Sequence, residues 1–176
     1  VWIDADGVSD EDRDTIEISD PVLAQRIAES LDIPLLTSMN GDIQFAFPVH
    51  VTDLSTLFEL SAPDAGIENL DGLEYVSNLV TLHLPGNSIR DITMLDPGRN
   101  LNGAATGLEL LRHLNLDHNP IRDIEALGEL THLQVLSLNG TAAFSQPGLF
   151  AEYFLTSPGD TLAPGPTDDP TLYFPD

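Results

Sequence analysis

A chain of 176 residues with 41% hydrophobic content can build the core of one domain, and none of its apolar runs is long enough to span a bilayer. Against 29 acidic residues stand six arginines and no lysine, a formal net charge of −23, which repels a phosphate backbone and excludes nucleic acid as a partner. Cysteine is absent, so disulfides, thiolate metal sites and cysteine nucleophiles are excluded together. The same charge suits divalent cations, basic ligands or a saline medium. The first residue is Val, so the chain is expected to be a processed form or an excised piece.

Residues 1–17 are an acidic segment. "DADGVSDEDRD" sets Asp4, Asp6, Gly7 and Asp10 in the order D-x-D-G-x-x-D. Calcium takes six to eight oxygens, and close carboxylates around a tight glycine turn supply them. The stretch looks like the aspartate loops of thrombospondin type 3-like and dockerin-like repeats, which implies calcium as a ligand of Asp4, Asp6 and Asp10. Trp2 and Arg13 depart from that pattern, and an acidic, solvated linker is the competing reading.

Next comes "SDPVLAQRIAESL". Ser19 or Asp20 serves as N-cap, Pro21 opens the first turn, and Leu23, Ile27 and Leu31 recur at helical spacing. "GDIQFAF" at 41–47 reads as a short strand. "VTDLSTLFEL" offers Thr52 as the cap of a second helical turn leading through Leu54 into a further strand.

From Leu57 the chain repeats itself. Phrases of the form Leu-x-x-Leu-x-Leu start at Leu57, Leu79, Leu111 and Leu133, the first with Ala62 in its last place. The outer spacings are 22 residues and the middle one 32. The ten extra residues fall in "DPGRNLNGAATG", 96–107, whose Gly, Asn and Pro mark a loop. Leucine alternation predicts a short strand in each phrase, with leucines inward and the intervening residues outward. Asn87 and Asn119 turn the chain and bond backbone of neighbouring coils; Ala65 and Thr141 hold that place in the end coils. Ile89, Ile92 and Leu95, like Ile121, Ile124 and Leu127, return along the other side in short helical or 3₁₀ segments. No coil buries its own apolar edge, so coils stack.

Residues 57–144 thus resemble the leucine-rich repeat family, in the 22-residue class of bacterial internalin-like proteins. The resemblance implies an α/β fold: a right-handed solenoid of about four coils, a parallel sheet on the concave side, and a helical N-terminal cap over residues 18–56.

Stacking turns outward residues into columns: Glu59, Thr81, His113, Val135; Ser61, His83, Asn115, Ser137; and Pro63, Pro85, Asp117, Asn139. From these the expected ligand-binding set is Glu59, Ser61, Thr81, His83, His113, Asn115, Asp117, Val135, Ser137 and Asn139. A transition-metal site from His83, His113 and Asp117 competes with the plainer reading of a mixed polar recognition surface. On the return side, diagonal pairing of Arg90 and Arg122 with Asp91 and Asp123 is expected. "NGT" at 139–141 matches a glycosylation sequon, but Thr141 is already assigned to the turn.

Residues 145–176 have no repeat register and are crowded with Pro and Gly. "GLFAEYF" resembles the opening strand of protective-antigen-type β-domains that bind carbohydrate. Alternatively the tail caps the last coil or adds a strand to a neighbouring subunit. G-x-S-x-G, H-E-x-x-H and Gly-rich phosphate loops are all missing, so no enzyme is expected. The expected role is a protein-recognition or adhesion module of a bacterial cell-surface or secreted protein, binding a protein or surface ligand. The alternative is a self-associating spacer or subunit of an extracellular fibre or surface layer, with calcium as the cofactor.

Overall fold

A computed structural model describes residues 16, 18–37, 43–45, 49–97, 108–141 and 171–173. Helix α1 (Pro21–Leu31) begins at Asp20, an extended N-cap whose Oδ1 accepts the N–H groups of Val22 and Leu23. Pro21 at the first helical position lacks the N–H that would otherwise be orphaned. Leu23, Ala24, Ile27 and Ala28 are buried, and Leu31 is half-buried where α1 ends at the left-handed Asp32. On the wet face Gln25 and Arg26 bond the Glu29 carboxylate and hold it below the usual carboxylate range.

Strand β1 (Leu35–Thr37) pairs antiparallel with β2 (Ile43–Phe45). The sequence announced β2 but not its partner. Helix α2 (Val51–Leu54) corrects the expected cap: His50, not Thr52, is the N-cap, and its backbone N–H donates to Asp53 Oδ2 at 2.9 Å. An Asp at the third helical position reaches back to the residue before the helix, and Thr52 already lies inside it.

Strands β3 (Glu59–Ser61), β4 (Thr81–His83), β5 (His113–Asn115) and β6 (Val135–Ser137) form a parallel ladder in which Leu60, Leu82, Leu114 and Leu136 are register partners. Although 32 residues separate β4 from β5 and 22 separate the other neighbours, the register does not slip. The excursion lies outside the ladder, and its residues 98–107 are outside the described ones. Strand β7 (Thr171–Tyr173) adds to β6 antiparallel, so the five-stranded sheet is mixed at this edge. Of the tail, residues 171–173 thus pair with the strand of the last coil; "GLFAEYF" falls outside the described residues.

Leucines of the strands and the returning Ile67, Leu70, Leu73, Ile89, Ile92, Leu95, Ile121, Ile124 and Leu127 make one continuous core. Full burial of each such side chain is worth about 1.5–3 kcal/mol. The return runs through 3₁₀ segments Leu73–Tyr75, Thr93–Leu95 and Glu125–Glu129. Asp91 and Asp123 turn Oδ1 to the N–H of Thr93 and Glu125, capping these segments. The expected Arg90–Asp123 diagonal is not formed: the ion pair between described residues is Arg26–Glu29. Asp123 serves instead as a local cap, because a backbone amide two residues away is reached with less loss of side-chain freedom than a distant guanidinium.

Asn87 and Asn119 behave as the repeat requires. Asn119 Nδ2 donates to Leu84 O and Leu116 O, and its Oδ1 accepts Ile89 N–H. Asn87 donates to Ala62 O and Leu84 O and accepts from Ala65 and Ile67. Each amide therefore ties its own coil to the preceding one. In the last coil Thr141 Oγ1 donates to Leu138 O at 2.9 Å, reproducing one arm of the contact.

One position before each turn residue, Asp64, Gly86, His118 and Gly140 all adopt left-handed φ, from 50° to 69°. Large and small alternate: the Asp64 carboxylate lies where a Gly86 side chain would be, and a methyl on Gly140 would meet His118 Cδ2 at 2.9 Å. Gly66 has φ +85° with open space around it. Gly66→Ala isolates the backbone penalty, about 1–2 kcal/mol. In thermal melts Gly86→Ala should lower stability further than Gly66→Ala, and equal losses would show that Asp64 simply swings aside.

Candidate recognition face

The strands place the predicted columns in contact. Glu59, Thr81, His113 and Val135 are consecutive register partners, as are Ser61, His83, Asn115 and Ser137. The pleat sends the strand leucines inward, so these residues occupy the opposite face of the sheet. Eight of the ten expected residues line one open groove of about 370 Å³: Thr81, His83, His113, Asn115, Asp117, Val135, Ser137 and Asn139. Glu59 and Ser61 lie outside it, exposed on the edge strand β3. Leu82 and Leu114, which the outward-column reading leaves out, contribute to the groove lining.

Asp117 organises one end. Its Oδ1 accepts the Ser137 hydroxyl at 2.7 Å and the Asn139 backbone N–H at 2.6 Å. Asn115 Oδ1 in turn accepts the Asp117 N–H at 3.0 Å. Ser137 is buried by this contact rather than displayed. Nothing in the repeat pattern signals it, because Asp117 bonds diagonally across two columns of adjoining coils. Towards the other end Thr81 Oγ1 lies 3.4 Å from His113 Nδ1.

The metal reading of His83, His113 and Asp117 is overturned: no three His, Asp or Glu side chains among the described residues converge on a metal position. Adjacent strands are about 4.8 Å apart and a two-residue step along a strand adds more, so diagonal side chains diverge. The Asp117 carboxylate is also turned towards Ser137. The calcium expectation at Asp4, Asp6 and Asp10 lies outside the described residues. The Thr141 hydroxyl of the sequon is buried and bonded to Leu138 O.

Residues 109–145 match a family model described as Leucine Rich repeats (2 copies). Among solved structures, the chain is similar to the internalin inlF of Listeria monocytogenes, with 29% identity and a TM-score of 0.52 over 69% of this chain and 30% of that one. The internalin inlC2 of the same organism matches at 29% identity and a TM-score of 0.42, over 69% of this chain and 55% of its own. InlJ of that organism matches at 20% identity and a TM-score of 0.44, over 69% of this chain and 27% of that one. The chain therefore spans less than two thirds of the length of each of these structures. Within the described residues, no helix is long and apolar enough to cross a membrane.

Proposed function

From a chain whose repeats are leucine-rich repeats of the internalin-like kind, we propose a non-enzymatic recognition or adhesion module of a bacterial cell-surface or secreted protein. It binds a protein or surface ligand through the sheet face that carries the polar columns, the concave face of such a solenoid. The observation that carries this reading is the groove itself. Eight outward residues drawn from three successive strands and the turns after them line one open surface, a form that suits a partner's surface better than the enclosed pocket a small molecule needs.

His83 and His113 are the residues to test, because neither side chain holds the fold: that of His83 makes no hydrogen bond to another described residue and that of His113 makes the single long contact to Thr81. His83→Ala/His113→Ala is expected to leave stability within about 0.5 kcal/mol. The same pair should weaken binding to bacterial-host or matrix protein arrays at least tenfold, whereas Arg90→Ala/Arg122→Ala on the return side should not. The reverse pattern would move the binding face to the other side of the coils.

The second reading, a self-associating spacer or subunit with calcium at the acidic segment, draws on β7. This edge strand follows β6 by a long stretch of chain, and a neighbouring copy could supply the same strand. Sedimentation of the full chain with calcium and with chelator distinguishes the two.

A further inference from the structure

Resting on the face assigned above, the groove carries a further statement about its ligand. We propose that it takes a cationic side chain, arginine or lysine, of a partner protein, anchored on Oδ2 of Asp117.

Asp117 is held from every direction but one. Its N–H donates to Asn115, its carbonyl oxygen accepts from Gly86 at 2.8 Å, and its Oδ1 accepts both Ser137 Oγ and the Asn139 N–H. Oδ2 has no hydrogen-bond or ion-pair partner among the described residues. The result is a half-buried carboxylate in the groove lining, held in one orientation through Oδ1, with Oδ2 left for a ligand. Its rotamer freedom is already lost, so a ligand that bonds it need not order it.

The surroundings select for a cation with an apolar stem. Among the described residues no arginine lines the groove, and the chain has no lysine, so none of the described residues sets a fixed positive charge against the carboxylate. Val135 lies half-buried in the same groove, and the methylenes of Arg or Lys pack on such carbons while the charged end reaches a polar partner. At longer range a net charge of −23 draws basic surfaces in and repels acidic ones.

The test uses the full, ¹⁵N-labelled chain at pH 8, titrated with the N-acetyl methylamides of arginine, lysine, citrulline and glutamate. Arginine, lysine or both should shift the amides of Asn115, Asp117, Ser137 and Asn139 saturably. Citrulline, the neutral counterpart of arginine, should bind about fivefold to tenfold more weakly, as expected for loss of one charge-assisted hydrogen bond. Asp117→Asn keeps an oxygen for Ser137 and Asn139 and should weaken the cationic probes by a similar factor. If that variant loses its dispersed spectrum, the arginine–citrulline difference in the unaltered chain still decides. Equal binding of citrulline and arginine overturns the proposal, as do cationic shifts confined to Asp91, Asp96 and Asp123. Glutamate shifting the groove would overturn the charge assignment while leaving the binding face intact, and that face fails only by the histidine test above.

Discussion

Asn119→Ala is expected to destabilise the chain by about 3–5 kcal/mol, a large part of what a domain of this size has. Asn119 is 1% exposed, and its amide serves two carbonyls and one N–H drawn from two coils. Truncation leaves the Leu116 carbonyl and the Ile89 N–H buried without this partner, each at about 1–3 kcal/mol, adds the loss of the side chain's packing, and leaves the Leu84 carbonyl to Asn87 alone. Two further substitutions make the prediction specific. Asn119→Asp keeps the shape but turns an acceptor towards the Leu84 and Leu116 carbonyls, and it should be at least as harmful as Ala. Asn119→Thr should be milder than Ala, because Thr141 at the matching position already bonds the carbonyl three residues before it. Urea denaturation followed by circular dichroism should rank the variants Thr, Ala, Asp in increasing loss. Should Ala cost under about 1 kcal/mol, the amide ladder is not what joins the coils.

Asp20→Ala should rank second, at about 2–4 kcal/mol. The Asp20 side chain does two jobs at once: Oδ1 caps α1 while Oδ2 accepts the N–H groups of Glu68 and Asn69 at 2.8 and 3.1 Å. One carboxylate with four backbone donors therefore docks the helix onto the first coil. Asp20→Ser separates the roles, since a serine hydroxyl can cap the helix but cannot also span to residues 68 and 69. Its loss should fall between wild type and Ala. Uncoupling should also broaden the transition, because a solenoid unfolds cooperatively only while its neighbours hold each other. A serine variant as stable as wild type would mean the link to the first coil contributes nothing.

How much of this was legible beforehand divides along a physical line. Leucine alternation, the asparagine turns and the ten-residue excursion are repeats along the chain, and stacking identical coils converts a repeat into a contact. Hence Leu60, Leu82, Leu114 and Leu136 align as read, and the polar columns follow without further information. The same logic located eight groove residues, since any residue between two inward leucines faces outward.

What escaped the sequence is every contact that breaks the repeat. β1 meets β2, β7 lies against β6 in the opposite direction, and Asp20 reaches residues 48 and 49 positions away. His50 displaced Thr52 as a cap because Asp53 turned back to it, and Asp123 served a local amide in place of the arginine expected of it. Most consequentially, the column reading left Asp117 one acidic outward residue among others, and only the packed coils set its Oδ1 against Ser137 and Asn139. By itself the sequence determined the coil, its register and its two faces, because these follow from a period that each residue obeys locally. Tertiary structure alone decided how the solenoid is capped and which groove group stands ready for a partner, because those depend on unlike segments meeting once.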